Sequence, residues 1–134
     1  MTNKIIFYQD VFLLHFAISE YLDRNFDCKQ FALIDTTDKV RKFFEDQSIV
    51  KFEKEWYLHD HIKVNPNKID MEFLTKFEEK YALDLWKLSL NERHFYRFNK
   101  FYKFSDDEIL SIVEQECKLF ESILDEVKPD FFVM

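Results

Sequence analysis

The sequence predicts an α/β fold: a Rossmann-like parallel sheet of order 3-2-1-4 with a long helical insertion before the last strand. Three observations carry this. Short apolar runs without polar alternation recur at residues 4 to 8, 30 to 34 and 131 to 134, as in strands buried on both faces. Helix-period segments separate the early runs, at connection lengths that suit right-handed crossovers. The last run follows Pro129, far down the chain; a strand there fits beside the first and creates a reversal in strand order.

The first strand is KIIFY, residues 4 to 8. Asp10 then stands at the expected N-cap of a helix over 11 to 24. Apolar residues from Val11 to Leu22 surround that helix, leaving only Ser19, Glu20, Asp23 and Arg24 as a polar face, so it reads as largely buried. Asn25 and Asp27 occupy the following turn in place of glycine, since both tolerate left-handed backbone angles. QFALI, residues 30 to 34, is the second strand. Asp35, Thr36 and Thr37 cap a short helix over 38 to 46 with Val40, Phe43 and Phe44 inward, and SIVKF at 48 to 52 is the third strand.

The whole chain reads as one Rossmann-like domain, with a helical insertion over about residues 55 to 128. Trp56, Tyr57 and Leu58 either extend a strand or form an edge. Asp70 caps a helix reaching Tyr81, and a second helix is expected from 84 to 102. A third opens at Ser105 with the capping box Ser-Asp-Asp-Glu and buries a stripe that includes Ile109, Ile112, Val113, Leu119, Phe120, Ile123 and Leu124, until Pro129 stops it. The closing run Phe131-Phe132-Val133-Met134 reads as the opening of a further crossover unit. The expectation is that this is the amino-terminal part of a larger protein whose carboxyl-terminal domain lies beyond it.

Composition narrows the function classes. With 47% apolar residues and 17 Phe in 134 positions, the chain can bury an aromatic-rich core. Its net charge of −7 argues against a nucleic-acid partner, whose affinity would come from neutralising phosphates. The apolar stretch Ile5 to Tyr8 reads as too short for a signal h-region, and no apolar run approaches the ~18 residues of a membrane span. Cys28 and Cys117 form no disulfide framework, so both read as reduced thiols of a cytoplasmic protein. Glycine is absent. No glycine-rich phosphate cradle is therefore possible, neither a P-loop nor a dinucleotide fingerprint, and no cofactor is expected.

Four groups of residues are candidates for chemistry. Tyr8, Gln9 and Asp10 follow the first strand, at the carboxyl end where open parallel sheets bind ligands. Asp10 reads as a helix N-cap or as a carboxylate that orients or deprotonates a substrate hydroxyl, and the two roles are compatible. His15, on the first helix, reads as a core or cleft-facing histidine. Arg93, Arg97 and Lys100 share one helical face at i, i+4 and i+7 among aromatic residues; that face is either solvated or holds a phosphate or carboxylate. His59 and His61 flank Asp60 and would point to one side of an extended segment, as loop histidines or as two zinc ligands.

Over nearly its whole length the chain resembles the amino-terminal part of capsular and surface polysaccharide biosynthesis proteins, which are similar to GT-B glycosyltransferases. The segments that carry the resemblance are KIIFY with a long apolar helix ending EYLDRNF (20 to 26), LDLWKLSLNERHFYRFNKFYKFS (83 to 105) and EILSIVEQECKLFESILDEVKPDFFVM (108 to 134). The resemblance implies an acceptor-side domain facing a nucleotide-sugar domain across a cleft. It implies a catalytic base after an early strand, by position Asp10, with His15 one turn on. It also implies acceptor contacts from Tyr8, Gln9, Arg93 and Arg97, a sugar or glycan acceptor as partner, and no transfer activity from this chain alone. Where many such enzymes place glycine in the first loop, this chain has Gln9-Asp10. The alternative is a non-enzymatic regulatory or assembly module that pairs, as a homo-oligomer or with a partner, through the edge of its terminal strand.

Overall fold

The computed structural model describes residues 1–35, 38–91 and 102–134. Four parallel strands form one sheet in the order β3-β2-β1-β4: β1 is Asn3–Gln9, β2 Cys28–Ile34, β3 Lys54–Tyr57 and β4 Phe131–Val133. The helices are α1 (Leu14–Asn25), α2 (Asp38–Asp46), α3 (Met71–Tyr81), α4 (Leu85–Asn91) and α5 (Asp106–Val127), with a 3-10 turn at Leu58–Asp60. The predicted fold and strand order are those observed.

The chain divides into two compact units. The first, Met1–His61 with Ser122–Met134, holds the sheet. In the parallel register Ile5 lies opposite Gln30, Phe7 opposite Ala32 and Gln9 opposite Ile34. That face meets α1 and α2 in a cluster of Phe16, Ala32, Ile34, Phe44 and Val50, in which Phe16 makes edge-on ring contacts with Phe43 and Phe44 at 5.1 and 5.7 Å. Ile6, Leu33 and Trp56 are buried on the opposite face. The second unit, Ile62–Glu121, packs α3, α4 and most of α5 around Leu74, Leu85, Ile109, Val113 and Cys117. Asp70 caps α3 by accepting from the Phe73 amide at 2.9 Å. The capping box of α5 is reciprocal: Ser105 N donates to Glu108 Oε2 at 2.8 Å, and Glu108 N donates to Ser105 Oγ at 3.2 Å.

Several elements differ from expectation. The first helix starts at Leu14, not at 11, because Asp10 Oδ1 accepts from Phe12 N at 2.9 Å and closes a turn of its own. Leu13, not Asp10, occupies the N-cap position, in the left-handed region at φ 55°. The helix is not buried all round. Phe16 and Ser19 are its buried residues, while Leu14, Ile18 and Tyr21 face solvent.

The third strand lies at Lys54–Tyr57 rather than at 48 to 52. Gln47 explains the displacement. Its Oε1 accepts from the amides of Ile49 and Val50, and its Nε2 donates to the Val50 carbonyl, so those backbone groups are bound into a turn and no sheet ladder can use them. Val50 is still buried, as part of the core.

Asn25 and Asp27 are not left-handed. The described residues with positive φ are Leu13, Ala82 and Lys128, and the latter two close α3 and α5. Of the helix expected over 84 to 102, Leu85–Asn91 is helical and residues 92–101 lie outside the described residues.

Candidate functional site at the carboxyl ends of the strands

The carboxyl ends of β1, β2 and β3 bring together residues distant in sequence. Asp35 N donates to the Gln9 carbonyl at 2.9 Å, which carries the β1–β2 pairing one residue past the end of β2. The Asp35 carboxylate is thereby set beside β1. Tyr8 Oη donates to Asp35 Oδ2, and His59, in the turn after β3, places Nε2 2.9 Å from Asp35 Oδ1. The Asp35 side chain is 35% exposed and that of His59 65%, so a ligand from solvent can reach both.

This pairing fixes the chemistry of His59. A carboxylate only accepts, so Nε2 carries the hydrogen toward Asp35, and the neutral ring then presents Nδ1 as its acceptor. A carboxylate orienting a histidine in this way is one arrangement that can serve general-base chemistry on a hydroxyl. His15 is held by the same logic. Its Nδ1 lies 2.7 Å from the Tyr8 carbonyl, to which it donates, leaving Nε2 to accept in the neutral ring.

The two faces of β1 divide its polar residues. Tyr8 reaches Asp35. Gln9 is fully buried and turned to the helix, where its Nε2 donates to Ser19 Oγ at 3.1 Å. Ser19 Oγ donates in turn to the His15 carbonyl at 2.9 Å, and Gln30 Nε2 donates to the Ser19 carbonyl at 3.0 Å. The Oε1 atoms of Gln9 and Gln30 accept no hydrogen bond among the described residues.

A second polar cluster flanks the first. Arg41 of α2 makes a two-pronged bond to Asp60, at 2.6 and 2.8 Å, while also bonding Glu45. Its guanidinium lies 4.3 Å from the centre of the Tyr57 ring. These bonds hold Arg41 above the ordinary guanidinium range and Asp60 below the ordinary carboxylate range. Burial raises Glu55 above its usual value and pushes the Tyr57 phenol up to about 12. Arg41 thus clamps the turn that carries His59 against α2.

Of the residues singled out from sequence, Tyr8 and His15 meet at the ends of the strands. Asp10 is next in chain, with one carboxylate oxygen engaged by Phe12, and Gln9 is buried. Arg93 and Arg97 lie outside the described residues. His59 and His61 do not share an extended segment, since residues 58 to 60 form a 3-10 turn; His59 pairs with Asp35 and Asp60 with Arg41. Among the described residues no three His, Cys, Asp or Glu side chains gather as a metal would need, and no helix is long and apolar enough to cross a membrane.

From sequence, Asp35 reads as a helix cap and His59 as a loop histidine or a zinc ligand, not as partners of each other. The signal that could have found Asp35 was its place directly after an apolar run, at a strand's carboxyl end. Comparison of the chain with protein-family models, with curated proteins and with solved structures finds no match in any of the three.

Proposed function

We propose that this chain is the acceptor-side domain of a glycosyltransferase-like protein of surface or capsular polysaccharide synthesis. The hydrogen-bonded series Tyr8–Asp35–His59 at the carboxyl ends of the strands is the observation that carries the reading. It joins a carboxylate, a phenol and a histidine acceptor, the groups that bind and deprotonate a sugar hydroxyl. The sequence resemblance supplies the reaction class. In this reading His59, oriented by Asp35, is the base, and His15 and Asp10 border the acceptor. The nucleotide-sugar half belongs to another domain, in keeping with a chain that has no glycine-rich cradle.

The test is ligand-observed NMR on this chain with a panel of mono- and oligosaccharides and, separately, nucleotide sugars. Saccharides are expected to bind, nucleotide sugars to undergo no turnover, and Asp35→Asn to weaken saccharide binding about tenfold, as expected for a charged hydrogen bond. Absence of saccharide binding, indifference to Asp35→Asn, or turnover by the chain alone would overturn the reading.

A second reading, a module that pairs strand to strand, draws on the exposed position of Phe131 in the three-residue edge strand β4. A dimer abolished by Phe132→Pro would favour it.

A further inference from the structure

The outward face of α1 is apolar, although the helix has a buried face of its own. Leu14, Ala17, Ile18 and Tyr21 follow the i, i+3, i+4, i+7 spacing of a helix-packing seam, and all four are exposed. Val11 and Phe12, in the turn just before the helix, are exposed as well. Phe26, whose ring lies 6.2 Å from that of Tyr21, extends the seam at the carboxyl end of the helix. Phe12 is 82% exposed, Leu14 64% and Tyr21 62%.

We infer that this face binds a second copy of the chain, α1 against α1 about a twofold axis near Ala17 and Ile18. Area is the first argument. The exposed fractions of the six large side chains amount to roughly 600 Å² of apolar surface, taking about 150–200 Å² per side chain. That is at the upper limit of what a lone protein exposes, about 300–600 Å². A homodimer burying about 800 Å² per partner, roughly 65% of it apolar, needs about 520 Å².

Charge is the second argument. The seam positions are uncharged, and on its flank Glu20 and Arg24 already neutralise each other as an ion pair. A face of this kind meets its own copy without like-charge repulsion, in a chain of net charge −7. A lipid surface is the poorer occupant, because membrane-seated helices border their apolar face with free Lys and Arg, and the one basic residue of α1 other than His15 is Arg24, bound to Glu20. Packing is the third. Ala17 at the centre of the seam lets two helix axes approach closely.

Sedimentation velocity over a concentration series tests the inference. The expected result is a mass rising from 16.6 kDa toward twice that value, and an Ile18→Glu chain whose dissociation constant is raised about a hundredfold, since each dimer would bury two carboxylates. If circular dichroism shows that Ile18→Glu does not fold, oxidation of Ala17→Cys in a Cys28→Ser background decides. A disulfide-linked dimer is expected there, and none from Lys42→Cys on the exposed side of α2. A monomer at every concentration would overturn the inference. So would a dimer that survives Ile18→Glu, equal cross-linking from Ala17→Cys and Lys42→Cys, or a monomer that sediments with phosphatidylcholine vesicles through this face.

Discussion

Lys4 and Asp130 hold each other by backbone and side chain together. Lys4 N donates to Asp130 Oδ2 at 2.8 Å, and Asp130 N donates to the Lys4 carbonyl at 2.9 Å. Lys4 Nζ adds a bond to the Val127 carbonyl at the end of α5. A side chain here stands in for the ladder partner that β1 would otherwise lack, and it seats β4 in register with Ile5, Ile6 and Phe7.

Asp130→Ala is therefore expected to lower stability by about 1–2 kcal/mol, the effect of leaving a backbone donor without its charged acceptor. Asp130→Asn, which keeps an acceptor oxygen, should lose less. Urea midpoints measure both. Amide exchange should accelerate at Phe132 and Val133 in the alanine chain more than in α2, and uniform acceleration would contradict the local role.

The three left-handed residues separate into two kinds. Ala82 and Lys128 are exposed and end helices, where a side chain makes the left-handed conformation unfavourable and glycine is the usual occupant. Ala82→Gly and Lys128→Gly are each expected to stabilise by about 0.5–1 kcal/mol, a rise of a few degrees in melting temperature. Leu13→Gly should do the opposite, because Leu13 packs on the Phe16 cluster. A calorimetric series of the three chains distinguishes these signs.

Tyr57 gives a pH dependence of definite direction. Burial pushes its phenol from 10.0 up to about 12. The folded chain thus holds the proton more firmly than the unfolded chain. The corresponding stability is present below pH 10 and is lost as pH rises toward 12. Tyr57→Phe removes the titrating group, so its urea midpoint should fall less steeply over that interval than the parent's. Parallel curves would show that Tyr57 does not govern the alkaline limb.

The two cysteines should differ in reactivity. Burial pushes the Cys117 thiol up to about 12, while Cys28 is raised as well, by burial and by Asp23 and Asp27. Cys117 is buried in the second unit's core and Cys28 is half-exposed. At pH 8 an aromatic disulfide reagent is expected to titrate Cys28 slowly in the native protein and Cys117 only at the rate of unfolding. Equal native rates would contradict the burial of Cys117.

The sheet was legible in the sequence because β1, β2 and β4 are written as uninterrupted apolar runs, and only one economical crossover pattern joins them. The α5 cap was legible because both halves of its box are local. β3 was misplaced because SIVKF and KEWY are equally plausible strands locally, and the deciding contacts come from the side chain of Gln47. The faces of α1 were misread for a related reason. Ser19 looks like a surface residue until Gln9 and Gln30, from two different strands, supply its partners. The Asp35–His59 pair was invisible for the plainest reason: it exists only once β2 and β3 are neighbours, and neither residue has a local signature that names the other.

The distance in sequence between β1 and β4 has a consequence for synthesis. β2 follows β1 closely on the nascent chain, but the Lys4–Asp130 pair spans 126 residues. At ribosomal rates of about 5–20 residues per second, β1 waits on the order of ten seconds for its second neighbour. Throughout that interval it is an edge with Ile5 and Phe7 beside an unpaired backbone, the kind of template to which other extended chains adhere. The yield of folded protein in a cell therefore depends on what shields β1 between its emergence from the ribosome and the arrival of β4.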